Sequence, residues 1–183
     1  MLRVAIVLIT AVVFGADGWA QESTPETVAR SYFDAMLRND TTTLARQMHP
    51  VALTQFQSLL MPMFEGKSAD RVSSDLLPMF DGVSTAADLR RLSPEAFYAS
   101  FMSGIAKVNP RFLQLMKESR YEILGYVPEK DNSHVVYRLE MTVEGQIVTR
   151  VAVLSLRKTE TTWGVLLTTE AESMATSLRR KYE

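Results

Sequence analysis

A chain of 183 residues with 20 Lys and Arg against 21 Asp and Glu carries a formal net charge of −1, and it contains no cysteine. That balance argues against the basic surface a phosphate backbone requires, and no basic cluster exceeds Arg179-Arg180-Lys181 at the C-terminal end. The missing thiols exclude a disulfide framework and a lipid-modified cysteine.

The chain opens as a leader. Arg3 gives a short basic start, Val4 to Gly15 is apolar except for Thr10, and Gly18-Trp19-Ala20 supplies small residues for a signal peptidase. The apolar run is too short for a membrane span, which takes about 20 residues. The expectation is a signal peptide over residues 1–20, cut after Ala20. The exported product, residues 21–183, is then periplasmic or secreted, soluble, without lipid anchor or membrane segment, and folded as one domain. Removal of the leader takes one basic residue (Arg3) and one acidic (Asp17), so the net charge is unchanged.

From Thr24 to about Ser119 the apolar residues follow helical spacing. Thr24-Pro25-Glu26 is a cap, a proline at the first helical position and an acid in the first turn, followed by Val28, Tyr32, Ala35 and Met36 on one face. Asn39-Asp40 ends this helix and caps the next, and His49-Pro50 starts a third, with Leu53, Phe56 and Leu60. Ser93-Pro94-Glu95 begins a helix presenting Phe97, Phe101 and Ile105. Asn109-Pro110 begins another, with Phe112, Leu113 and Met116.

Within this half, Pro-Met-Phe-acid-Gly-x-Ser occurs twice, at Pro62 to Ser68 and Pro78 to Ser84. Each copy follows a Leu-Leu turn and offers a glycine suited to the left-handed position after a helix and a hydroxyl to cap the next, Ser68 in one and Ser84 or Thr85 in the other. Asp88 completes a capping box with Thr85. Two copies sixteen residues apart are too few for a stacked solenoid, and neither has the strand and loop of a phosphate cradle. The string reads as a helix terminator. Met48-His49, Met61, Met63 and Met79 bring thioethers and an imidazole together in the manner of a Cu(I) site. Their alternation with Leu and Phe fits gap-filling in a core better, and no metal or other cofactor is expected.

From Tyr121 the period becomes two. Tyr121 to Val127, Ser133 to Val143, Gln146 to Arg157 and Thr162 to Thr168 read as strands joined by short loops, hence antiparallel neighbours. A two-residue turn at Glu144-Gly145 pairs Val143 with Gln146, Leu139 with Arg150 and Tyr137 with Ala152. A four-residue loop over Lys158 to Thr161 pairs Leu156 with Trp163 and Arg150 with Thr169. Both counts collect Val135, Tyr137, Leu139, Met141, Val148, Ala152, Leu154, Leu156, Trp163, Val165 and Leu167 on one face, against Arg138, Glu140, Thr149 and Ser155 on the other. Glu170 to Glu183 returns to helical spacing, with its cations at the end where the dipole favours them. It is free to pack on the mixed sheet face or on a partner chain.

The fold class is therefore α+β, with short N-terminal helices packed in a curved antiparallel four-stranded sheet and a C-terminal helix. The stretch "TVARSYFDAMLRNDTTTLARQMHP" (Thr27 to Pro50) resembles the opening of nuclear transport factor 2-like domains, and "GVLLTTE" after Trp163 is similar to their last strand. The resemblance leaves a helical insertion around residues 59–119, with Leu59 to Asp88 as its added part, and the last helix as a separate addition. It implies a sheet curled into a cone whose apolar mouth holds a ligand, and a homodimer formed through the sheet. It also points to cyclases and isomerases that set carboxylates, Tyr or His inside the cone.

On the inward face only Tyr137 has acid–base chemistry, with Tyr32 on the first helix as a second phenol, and no pair of groups with opposed environments can be assembled. No catalytic residue is therefore assigned. Arg150 stands out among aliphatic neighbours, since a guanidinium cannot shed its charge. Either it reaches water or pairs with Glu170 or another acid, or it holds an anionic group at the base of the pocket. Arg150, Tyr137, Tyr32, Met36, Met141 and Trp163 are the candidate ligand-binding residues, while His49 and His134 read as turn and surface residues. The sequence thus points to a non-enzymatic domain that binds an apolar or anionic small molecule or a partner protein. A cyclase or isomerase using the same pocket and a structural dimer with a filled core are its alternatives.

Overall fold

The structure, a computed structural model, describes residues 23–182. The leader over residues 1–20 and its cut site lie outside the described residues. Among the described residues seven α-helices precede and one follows a sheet of four strands in the order β1-β2-β3-β4, all antiparallel. The fold is α+β, as the change of period predicts.

The helical half is built from capped short pieces. Helix α1 (Pro25–Arg38) starts at Thr24, whose hydroxyl accepts from the Thr27 N–H at 3.2 Å, while Thr27 Oγ1 accepts from the Thr24 N–H at 3.0 Å. It stops at Asn39, which takes the left-handed conformation (φ 55°). Asp40 then caps α2 (Thr41–Arg46) through the Thr43 N–H, and His49 caps α3 (Pro50–Leu60) through the Val51 N–H. The remaining pieces are α4 (Ala69–Leu76), α5 (Ala86–Arg91), α6 (Pro94–Val108) and α7 (Pro110–Glu118).

Both repeated strings end a helix by tightening it. Met61–Phe64 after α3 and Leu77–Met79 after α4 are 3-10 turns with proline inside, where its absent N–H costs nothing. Each turn also delivers a phenylalanine to the core. Phe80 packs 4.9 Å from Phe97 and 5.1 Å from Phe101, and Phe64 lies 6.1 Å from Phe80. The copies differ in the glycine. Gly82 has φ +73°, whereas Gly66 does not enter the left-handed region expected of both. Thr85 and Asp88 form the expected box at α5, and Ser68 caps α4 by position without a side-chain hydrogen bond. The second copy is also clamped to α6. Asp81 donates its N–H to the Ser100 carbonyl, accepts from Ser103 Oγ and pairs with Lys107, and Gly104 lies so close that an added Cβ would sit 2.1 Å from the Met79 carbonyl oxygen.

Strands β1 (Arg120–Glu129) and β2 (Asn132–Val143) meet at a two-residue turn, and β2 and β3 (Gln146–Lys158) at Glu144-Gly145, both with positive φ. The β2–β3 register is the one read from the sequence, with Leu139 opposite Arg150 and Tyr137 opposite Ala152. β1 runs two residues further than expected, through Pro128 and Glu129, and carries a bulge between Ile123 and Gly125.

The fourth strand departs from expectation. β4 is only Trp163–Val165, and it pairs Leu156 with Val165 and Lys158 with Trp163, two residues from the predicted register. Thr159 sets this loop, since its hydroxyl accepts from the Thr162 N–H at 3.0 Å and its N–H donates to the Thr162 carbonyl at 2.8 Å. A slip of two preserves the faces, so the inward set survives. β4 ends because its other side is taken by the α2–α3 link: the Val165 N–H donates to the Gln47 carbonyl and the His49 N–H to the Val165 carbonyl, each at 2.8 Å. Gly164 permits this approach, because a Cβ there would lie 2.6 Å from His49 Cα.

Helix α8 (Thr169–Tyr182) does not pack on the mixed sheet face. It lies on the helical half, where Gln55 Nε2 donates to Glu172 Oε1 at 2.6 Å and the Tyr182 hydroxyl to Asp75 Oδ2 at 2.8 Å. Among the described residues no helix is long and apolar enough to cross a membrane.

Gly104→Ala should lower unfolding free energy by about 1–3 kcal/mol through overpacking against backbone. Gly66→Ala, which meets only the Pro62 carbonyl at 3.8 Å, should stay within about 0.5 kcal/mol in the same urea titration. His49, in the link before α3, is buried, and burial, then the Arg157 charge, hold its pKa below the ordinary value. The unfolded chain takes up this proton near pH 6.5 and the folded chain does not, so stability should fall as pH drops below about 6.5. His49→Asn keeps a cap acceptor and should flatten that part of the profile.

Candidate functional site

The inward face of β2 and β3 does not close fully on the helices. Between them lies a cavity of about 400 Å³. Helix α1 supplies Tyr32, Phe33, Ala35 and Met36, α6 supplies Met102 and Ala106, and α7 covers it with Phe112, Leu113 and Met116. The sheet contributes Tyr121 from β1, Tyr137, Leu139 and Met141 from β2, and Arg150, Ala152 and Leu154 from β3. Its polar groups are few: Asn39 and Thr41 at the α1–α2 turn, and Arg150, Thr168 and Glu170 where β3 faces the start of α8. The size and composition fall within the usual range for small-molecule sites.

Alternation explains the sheet wall, since Tyr137, Leu139 and Met141 are two apart on β2 and Arg150, Ala152 and Leu154 on β3. Aromatic stacking stiffens it. Phe33 lies flat on Tyr121 with centroids 4.5 Å apart and planes 7° from parallel, and its centroid is 4.7 Å from that of Tyr137. Helix α7 is held more lightly, with no fully buried residue.

The phenols are not equivalent. Burial, and then the neighbouring Tyr98, push the Tyr32 pKa well above the ordinary value. Tyr121 is likewise raised by burial, and its hydroxyl donates to Met36 Sδ at 3.2 Å, a weak acceptor. Tyr137 is raised by burial and by the Glu170 charge, against Arg150, which places its hydroxyl within the field of that pair. All three stay protonated near neutrality, as donors and not as bases.

Five of the six residues singled out from sequence line this one cavity: Arg150, Tyr137, Tyr32, Met36 and Met141. Trp163 does not. It stands opposite Lys158 on β4, half-buried against the core. Arg150 is inward by register yet not buried at a pocket base. Its side chain is 63% exposed on the rim, 3.4 Å from Glu170, which is 67% exposed. The α7 residues and Tyr121 escaped sequence reading because helical spacing marks an apolar stripe without saying whether it meets side chains or a void. Tyr121 had a usable signal, for its place opposite Leu139 puts it on the inward face.

The methionines and histidines weighed for a Cu(I) site are engaged in packing, capping and outer-face contacts. Met48 and Met63 are buried in the core, His49 Nδ1 accepts the α3 cap bond, and His134 lies between Ser155 Oγ and Glu129 on the outer face. Among the described residues no group of three or more His, Asp or Glu side chains gathers as metal ligands do. Comparison with protein-family models, with curated proteins and with solved structures gives no match.

An exposed single-contact ion pair contributes little. Arg150→Met should therefore change the urea midpoint by the equivalent of no more than about 0.5 kcal/mol, and a larger loss would show that Arg150 holds the rim together.

Proposed function

We propose that this chain is an exported, non-enzymatic member of the nuclear transport factor 2-like superfamily that holds an apolar or anionic small molecule between its helices and its sheet. The observation that carries this reading is the 400 Å³ cavity, walled by aromatic rings, methionines and aliphatic side chains, with its charges confined to the rim. Burial of apolar ligand surface there supplies affinity at about 25 cal/mol per Å² before the cost of ordering is subtracted. A cyclase or isomerase needs a proton acceptor against the reacting carbon. The cavity instead presents three phenols held protonated, and the carboxylate on its lining is the exposed Glu170.

A second reading, a structural homodimer joined through the sheet, draws on a different observation. The outer face leaves Ile147 at 75%, Val151 at 56% and Val153 at 54% exposure, more apolar surface than scattered single residues account for.

One experiment separates the two. Titration of residues 21–183 with a neutral environment-sensitive dye should give saturable binding that Ala106→Phe, which grows a ring into the cavity, reduces at least tenfold without unfolding the chain. Dye binding indifferent to that change would remove the cavity from the function. A dimer in sedimentation that Val151→Lys dissociates, with no dye bound, would establish the second reading instead.

A further inference from the structure

The cavity wall has a chemical character that goes beyond being apolar. Four methionines line it, each from a different element: Met36 on α1, Met102 on α6, Met116 on α7 and Met141 on β2. An unbranched thioether with three rotatable bonds adapts to whatever lies against it, where Val or Ile would impose one shape. A wall of this kind suits an occupant that is itself flexible and uniform along its length, and it gives no fixed template for a rigid fused-ring skeleton.

The rim supplies the second half of the argument. Arg150 has five guanidinium donors and spends one of them, at 3.4 Å, on Glu170. Both side chains are more than 60% exposed, so the pair is weakly held and exchange for another carboxylate costs little. The Tyr137 hydroxyl stands beside this pair and has no hydrogen-bond partner among the described residues, while its ring forms part of the apolar wall. One guanidinium and one phenol thus converge at the place where the apolar lining meets water.

Resting on the reading of the cavity as a ligand site, we propose that its occupant is a single-chain amphiphile, a long alkyl or acyl chain carrying one anionic head group. The chain lies among the four methionines. The head group sits at the rim, where it takes Arg150 from Glu170 in a two-donor contact and accepts from the Tyr137 hydroxyl. Carboxylate and phosphate heads share this chemistry, and the experiment tells them apart.

The test is displacement of the neutral dye by three homologous series of saturated chains: carboxylates, the matched primary alcohols and monoalkyl phosphates, each below its micelle concentration. In the wild type the dissociation constant of the anionic series should fall by about fourfold for each added methylene until the cavity is full. Anions should bind at least tenfold tighter than alcohols of equal length. Arg150→Met should abolish that preference, and Glu170→Gln should enlarge it, because the competing carboxylate is gone. A purely structural role for the ion pair would give the same sign in both variants, and that result overturns the proposal. So does equal binding of anions and alcohols in the wild type, or affinity indifferent to chain length. In either of those cases the dye still reports an occupied cavity, so the broader reading stands. Failure of the dye and of every chain to bind removes both. A carboxylate series stronger than the phosphates identifies a fatty-acid type of ligand, and the reverse order a phosphate-headed one.

Discussion

Everything in this molecule depends on the contact between Gly164 and His49. With no side chain at residue 164, the backbone of β4 reaches the α2–α3 link, and two hydrogen bonds of 2.8 Å tie Val165 to Gln47 and His49. One short segment thereby completes the sheet, caps α3 through the same histidine, and fixes the angle at which the helices meet the strands. It also ends β4 after three residues. The chain then turns away after one more ladder bond, from the Leu166 N–H to the Ser155 carbonyl, and α8 begins beside Arg150. A full-length fourth strand would continue along β3 past Arg150 and leave no room for that rim.

The interior falls into two aromatic groups with different work to do. Phe56, Phe64, Phe80, Phe97, Tyr98 and Phe101 interlock, mostly edge-on or tilted, and fill the helical half. Dense packing of this kind gives a rigid base. Phe33, Tyr121 and Tyr137 form the other group, which faces space instead of more side chains. The repeated Pro-Met-Phe strings serve the first group. They stop two helices and insert a ring at each stop, and Phe80 packs against Phe97 and Phe101 of α6, the helix that also lines the cavity.

Much of this was legible in the sequence because the signals are local. Thr24-Pro25, Asp40, Ser93-Pro94 and Asn109-Pro110 each mark a helix start through capping chemistry confined to four residues, and Glu144-Gly145 fixes the β2–β3 register because a two-residue turn leaves one choice. What failed was non-local. The Thr159–Thr162 loop closes through a hydroxyl that a count of residues does not reveal, and β4 stops because of a partner more than a hundred residues away. The inward face was read correctly, yet Trp163 lies away from the cavity and Arg150 on its edge. Alternation says which way a side chain points and not how far the opposite wall is.

The methionine wall has one further chemical implication. Thioethers oxidise to sulfoxides, which turns a soft apolar side chain into a polar, chiral one. Met36 already accepts the Tyr121 hydroxyl at 3.2 Å, and an oxygen on that sulfur would be a far stronger acceptor in the middle of the apolar lining. Exposure to oxidants therefore sets a chemical clock on this cavity, since successive oxidation of its four sulfurs would wet a lining that is otherwise apolar.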